Sequence, residues 1–344
     1  MSKISEHSLF QLTLMRMREF IREPEALFWA LIFPIALAAG LGIAFRNQPP
    51  QVLTIAAVTP RLSDALRQEK LLNVMQLPRV IAEQSLRTGK VVLLAEPGPD
   101  GSIVYRYDDT NPEGRQARML ADQAIQRASG RQDAVAGNDK IMREPGSRYI
   151  DFLIPGLIGM GIMGNAVWGL GFAIVDARRK KLLKRIIATP MPKHYYLLSF
   201  LFWRLLLLVV EVGVPLAFGA LVFGVPMRGS AIALIAISIL GALAFSALGL
   251  LVASRVKTIE AISGLANATM VPMWIVSGVF FSSQRFPDLV QPLIKALPLT
   301  AVIDALRANM LQGAGFAQMA PQAAVLGAWL AVCFGLALKL FRWR

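Results

Sequence analysis

The sequence predicts an α-helical integral membrane protein with six transmembrane helices, an N-terminal interfacial helix and an inserted extracytoplasmic α/β domain. Three observations predict it. Of 344 residues, 55% are hydrophobic and only 17% charged, with a mean hydropathy of +0.52; a soluble domain of this size needs more polar surface. The charges are clustered, which leaves six long windows that are almost wholly apolar. Between the first two windows the chain turns polar and rich in proline and glycine for about 100 residues, the size of an ordinary domain.

The windows are residues 26–45, 152–175, 197–224, 230–253, 262–282 and 321–341. Each supplies the roughly 20 apolar residues that a hydrocarbon core about 30 Å thick requires. An even number of spans puts both termini on one side. Lys and Arg number sixteen across 1–25, 176–195, 254–261 and 339–344, against four in 225–229 and 283–320. The positive-inside rule then places both termini in the cytoplasm and residues 46–151 outside. The fifteen Lys and Arg of 46–151 do not count against this, since long loops cross largely regardless of charge. The first apolar run begins only near Leu27, after a polar, mixed-charge start, which argues against a cleavable signal peptide. Together with the single cysteine, this fits a bacterial inner membrane with 46–151 in the periplasm.

Residues 1–25 are expected to form the interfacial helix. In LFQLTLMRMREFIRE (9–23), Leu9, Phe10, Leu14, Met17, Phe20 and Ile21 fall on one arc, with Gln11, Arg18, Glu19 and Arg22 roughly opposite, so such a helix can lie in the membrane plane. Pro24 separates it from the first span. In 46–151, VLTIAAV (52–58), VVLLAE (91–96) and SIVYRY (102–107) read as strands, and 64–75, 78–89 and 112–130 as helices. Asp108 and Asp109 read as a strand-end turn, because neighbours on a strand point to opposite faces. Residues 283–320 contain Pro287, Pro292, Pro298, Gly313 and Gly315 and are too interrupted to span. Within them 301–313 reads as a short helix ended by Gly313, and the segment as external helices, re-entrant or at the outer membrane surface, packed against the bundle.

The densest charge lies in DARRKKLLKRIIATPMPKHYY (176–196), with seven Lys or Arg between Arg178 and Lys193. Leu182, Leu183, Ile186 and Ile187 recur at the spacing of an amphipathic helix, and Pro190 and Pro192 end it. A topology signal that attracts anionic lipid accounts for the charge. A short, capped helix held under the membrane also suits a docking partner.

Inside the spans, Arg204 and Glu211 are the ionisable residues. Each costs about 2.5–3.5 kcal/mol on insertion scales, so each should face protein or water. Seven residues separate them, about 10.5 Å along the axis, which makes a direct ion pair marginal; a water or another helix would bridge them. They serve either as helix contacts or as polar points on a pathway. Asn165 is the strongly polar side chain of the second span, whose glycines at 156, 159, 161, 164, 169 and 171 allow close helix approach. The net charge of +14 belongs to loops rather than to nucleic-acid binding. One cysteine (Cys333) and two histidines (His7, His194) exclude an intrachain disulfide and offer too few ligands for an ordinary zinc site. No G-x-x-x-x-G-K-[ST], G-x-S-x-G or H-E-x-x-H motif occurs, so the chain has no phosphate loop for ATP and no recognisable hydrolase centre.

Three stretches, FLIPGLIGMGIMGNAVWG (152–169), RRKKLLKRIIATPMPKHYYLLS (178–199) and LPLTAVIDALRANMLQG (297–313), occur in an order that resembles the permease subunit of type-2 ATP-binding-cassette exporters, also called the type V architecture. The layout of interfacial helix, first span, large external domain and five further spans is similar as well. Many relatives carry acidic residues and a glycine just before the leucines of the cytoplasmic loop; here Arg178, Arg179, Lys180 and Lys181 stand there, with Asp176 the only acid nearby. The resemblance implies an exporter half. A second permease, a copy or a paralogue, would complete the pathway, and separate cytoplasmic ATPase subunits would hydrolyse the ATP, this chain binding no cofactor itself. Arg178, Arg179, Leu182, Leu183, Lys184, Ile186 and Ile187 would then dock the ATPase. The external domain, Arg204, Glu211 and the 297–313 helix would shape the exit path. An ion-driven carrier, a scaffold presenting 46–151 and a membrane transferase are the rival classes. The sequence does not reveal the substrate.

Overall fold

The computed structural model describes residues 8–45, 52–131, 146, 148–180 and 193–340. The chain divides into two units, one of Met1–Arg46 with Arg143–Arg344, the other of Asn47–Met142.

The first unit is helical. Helix α1 (Ser8–Arg22) stops at Glu23, which is extended ahead of Pro24, because proline's neighbour is pushed out of the helical region. Helix α2 (Pro24–Leu27) runs through a π-helical turn, Phe28–Ile32, into α3 (Phe33–Ala44). Pro34 has no amide to give the preceding turn, a cause of such a break. The apolar part, Phe28–Ala44, is shorter than the later spans. Taken with α2 it extends about 31 Å at 1.5 Å per residue, although Glu25 lies in that extension. Among the described residues five helices are long and apolar enough to cross a membrane: Tyr149–Asp176, Phe202–Phe223, Ala231–Ala253, Ile259–Val276 and Ala320–Leu340. They comprise α7 (Tyr149–Gly164), a π turn (Asn165–Gly169) and α8 (Leu170–Arg179); then α9 (Lys193–Phe223), α10 (Ala231–Ala253), α11 (Ile259–Val276) and α14 (Ala320–Leu340).

One expectation for this unit needs correction. The span expected over 262–282 ends at Val276, since Gly278 takes a positive φ of 81° and turns the chain. The helix expected within 283–320, re-entrant or at the outer surface, is a buried element packed against the bundle. Helices α12 (Gln291–Lys295) and α13 (Pro298–Gln312) form a pair bent by 84°. Leu299, Val302, Ile303, Leu306 and Met310 of α13 are fully buried. Glycines on the neighbouring helices make room for them: a Cβ at Gly159 would stand 2.7 Å from Ile303, and one at Gly241 2.6 Å from Val302. Gly313, with φ 71°, ends α13 in the left-handed conformation.

Helix α1 lies along α9. Arg16 Nε donates to Ser199 Oγ at 3.2 Å, and the Phe20 and Trp203 rings are 5.3 Å apart. The half-buried face is Leu9, Leu12, Thr13, Arg16, Met17 and Phe20, rotated from the arc read in the sequence. Phe10, Met15 and Ile21 stay exposed. The helix thus has an apolar edge left over after packing, which the one-sided projection merged with the packed face.

In the second unit, β1 (Leu53–Ala57), α4 (Pro60–Leu66), β2 (Leu72–Gln76), α5 (Arg79–Arg87), β3 (Leu93–Pro97), β4 (Ile103–Tyr107) and α6 (Pro112–Ala128) follow in sequence. The sheet order is β2-β1-β3-β4, with β1 parallel to β2 and β3, and β4 antiparallel to β3. One face buries Ile55, Leu66, Leu93, Ala117 and Ala121; the other buries Ala56, Ala82, Val91 and Leu94. The helix expected over 64–75 is wrong in its second half. It ends at Leu66, and 72–76 is a strand with Leu72 and Val74 turned toward the first core. Pairing with β1 outweighs the weak helical preference of that stretch. Asp108 accepts from the Thr110 amide and hydroxyl, at 2.9 and 2.6 Å, which makes 108–110 a turn. Asn111 caps α6 by accepting from the Glu113 amide at 3.0 Å.

Replacing Gly156 with alanine would bring a Cβ to 2.5 Å from the Val279 carbonyl. It is expected to cost roughly 1–3 kcal/mol, read as a lower thermal midpoint of the detergent-solubilised protein. Alanine at Gly161, where a Cβ meets nothing within 4 Å, should leave the midpoint unchanged.

Candidate functional site

On α9 the buried positions Leu207, Leu208, Glu211 and Val212 recur at helical spacing, so Glu211 is carried into the bundle by the apolar face around it. Arg204 lies two turns earlier on the same side. Its Nη1 donates to both Glu211 carboxylate oxygens, at 2.9 and 2.8 Å. The expectation of a marginal, bridged pair is therefore corrected: two long side chains lean toward each other along the helix and close the gap that the rise alone leaves. The pair is turned inward, with 17% of the Arg204 side chain exposed and 1% of Glu211.

Arg204 also ties α9 to α7. Its Nη2 donates to the Ile162 carbonyl at 3.2 Å. Just beyond, at Asn165–Gly169, the helix widens into the π turn, a feature common at functional sites. Asn165 opens that turn and stands beside the Glu211 carboxylate as a hydrogen-bonding neighbour. The three polar residues picked out of the spans are thus one cluster. It can hold two helices in register and keep a charge pair out of lipid.

The root of the basic loop is a second polar site. Arg178 is half-buried, and its guanidinium donates to the carbonyls of Val256 (2.7 Å), Ala253 (3.3 Å) and Ser254 (3.4 Å). Ala253 ends α10, Ser254 caps it and Val256 follows, so these carbonyls lie where the helix no longer supplies partners. Burial lowers the Arg178 pKa from its ordinary value. Beneath it Val175, Ala253, Val256 and Ile262 form a small apolar core joining α8, α10 and α11. Arg178 therefore points into the fold rather than outward to a docking partner. Arg179 and Lys180 remain exposed, the latter paired with Asp176 at 2.8 Å. Leu182, Leu183, Lys184, Ile186 and Ile187 lie outside the described residues.

Two further arginine clusters were not read from the sequence. Arg148 pairs with the buried Asp151 at 2.8 Å and donates to the carbonyls of Phe223 (2.8 Å) and Gly224 (3.1 Å). Arg307 sits 3.5 Å over the Phe152 ring and donates to the carbonyls of Phe152 and Gly278. The available signal was an arginine beside or within an apolar run, which the external placement of α13 obscured for Arg307. Among the described residues no three His, Cys, Asp or Glu side chains converge to hold a metal ion.

Comparison with known proteins sets this architecture in a family. The inner membrane transport permease YadH of Escherichia coli (strain K12) is 26% identical over 175 residues, covering 48% of this chain and 64% of that protein. The putative transport permease YvfS of Bacillus subtilis (strain 168) is 27% identical over 138 residues, 40% of this chain and 56% of that one. ABC transporter G family member 20 of Dictyostelium discoideum is 27% identical over 231 residues, 64% of this chain and 31% of that one. Each match covers less than two thirds of the relative's own length. The profile described as "ABC-2 family transporter protein" matches residues 24–339, nearly the whole sequence, and the chain belongs to that family.

Proposed function

We propose that this chain is the membrane-spanning subunit of an ATP-driven exporter, paired with a second permease and driven by separate ATPase subunits docked on the basic segment 176–196. Membership of the ABC-2 family supports the transport role. The lack of a phosphate loop in the sequence supports placing hydrolysis on a partner. The observation that carries the coupling is the Arg178 contact. The helix leading into the basic segment is fastened by three hydrogen bonds to the end of α10 and by an apolar core to the start of α11. A push on 176–196 would therefore reach α8, α10 and α11 together.

In this reading Pro24–Ala44 crosses the membrane as the first of six spans, and α12 and α13 enter and leave on the outer side. Both termini are then cytoplasmic, and 46–151 is periplasmic. The exposed edge of α1, with Phe10 and Ile21 beside Arg18 and Arg22, would rest on anionic lipid. A reporter active only in the cytoplasm, fused at each terminus, should be active at both; activity at one alone would mean that the bent pair crosses as well.

Reversing Arg179 and Lys184 together to glutamate should abolish co-purification of the ATPase and with it ATP-dependent transport. Unchanged complex and transport would remove the docking assignment, and transport with no ATPase at all would favour an ion-driven carrier. Arg204→Met alone leaves Glu211 buried without its partner and should cost about 3–5 kcal/mol. The double change Arg204→Met, Glu211→Met should recover most of that stability and retain transport, because the pair faces α7 inside the protomer. A folded double variant that no longer transports would instead put the pair on the pathway.

A further inference from the structure

Strand β2 is one edge of the sheet in the Asn47–Met142 unit, and among the described residues its outer side pairs with no strand. Edge strands in native proteins are usually blunted by charge, proline or a bulge. The opposite edge, β4, carries Arg106 within the strand and is flanked by Asp100, Asp108 and Asp109. Strand β2 reads LNVMQ, and from Leu71 to Pro78 no residue is charged. On the α5 side of the sheet Met75 is 43% exposed, and nearby on α5 Val80 is 79% and Ile81 50% exposed. A neutral open edge therefore lies beside an apolar strip.

The backbone groups of the edge are in register for pairing. Leu53 donates to the Leu71 carbonyl, and Leu77 donates to the Ala57 carbonyl. In a parallel ladder this parity commits the odd-numbered residues of β2 to β1 and turns the amides and carbonyls of Leu72, Val74 and Gln76 outward. An antiparallel copy of the strand centred on Val74 meets those groups with its own. It sets Leu71 against Leu77, Asn73 against Met75 and Val74 against Val74, and brings the Glu69 end of one strand to the Arg79 end of the other. The strand is thus self-complementary in its hydrogen-bonding register, and the pairing sets no like charges opposite one another: Glu69 of one copy approaches Arg79 of the other, which also pairs with Glu83 and Glu96 of its own unit.

We infer that the occupant of this edge is a second copy of the chain, paired antiparallel through β2 about a two-fold axis at Val74, so that the two sheets become one of eight strands. The inference deepens the dimer part of the proposed function and rests on it only for bringing two copies into one membrane.

The test uses the full-length protein in membranes, with Cys333→Ala as background. Asn73→Cys and Met75→Cys are made on separately tagged chains and expressed together. Both side chains are exposed, so neither change disturbs a core. Opposed residues of a non-hydrogen-bonded antiparallel pair have Cα atoms about 4.5 Å apart, within disulfide range, whereas diagonal neighbours lie roughly 7–8 Å apart. Mild oxidation should give a mixed-tag dimer from the co-expressed chains and at least fivefold less dimer from Asn73→Cys or Met75→Cys alone. No mixed dimer, or equal yields from all three, would overturn the pairing. The cross-link is read without a transport assay, so failure of ATPase docking would leave it intact, and its absence would leave the exporter reading standing.

Discussion

A break or end in a helix leaves backbone carbonyls without a helical partner, and where they are buried a donor from elsewhere in the protein must meet them. Here arginine supplies it repeatedly. Arg178 serves the end of α10, Arg148 the end of α9, Arg307 the turn after α11, and Arg204 a carbonyl of α7 just before its π turn. A guanidinium suits this work because it presents several donors in a rigid fork and stays charged. Glu211 and Asp151 then offset two of these charges within the fold. The helix ends are fixed to one another through side chains, so the bundle can be broken at several points without exposing bare backbone.

This arrangement has a mechanical consequence. A carbonyl clamp ties one helix to its neighbour through directional hydrogen bonds, which are lost when either partner is displaced. The clamp at Arg178 is set where the basic segment begins and joins α8 to α10, with an apolar core shared by α11 beneath it. The Arg204 cluster holds α9 to α7, and the buried α13 fills the glycine-lined space between α7 and α10.

Much of the helical layout was legible because a span announces itself by composition. The windows ending at 175, 224, 253 and 341 needed no tertiary information. What escaped depends on three dimensions. Arg204 and Glu211 were found individually, but their direct contact turns on side-chain reach rather than on rise along the axis. Arg178 was grouped with Arg179 by sequence adjacency, although helical geometry sends them in different directions. The prolines around α13 left its placement open between re-entrant and surface, whereas its burial is set by glycines 159 and 241 on other helices. Strand β2 was taken for helix because its alternation covers only five residues and acquires meaning beside β1.

The most direct test of the account is what touches the basic segment in the native membrane. A photo-crosslinking residue at position 184, followed by gentle extraction and mass spectrometry of whatever is attached, reads that contact without any variant of the clamp. The account predicts a covalent product with a protein carrying a G-x-x-x-x-G-K-[ST] phosphate loop. Crosslinks to lipid alone would contradict it and leave 176–196 as a topology signal.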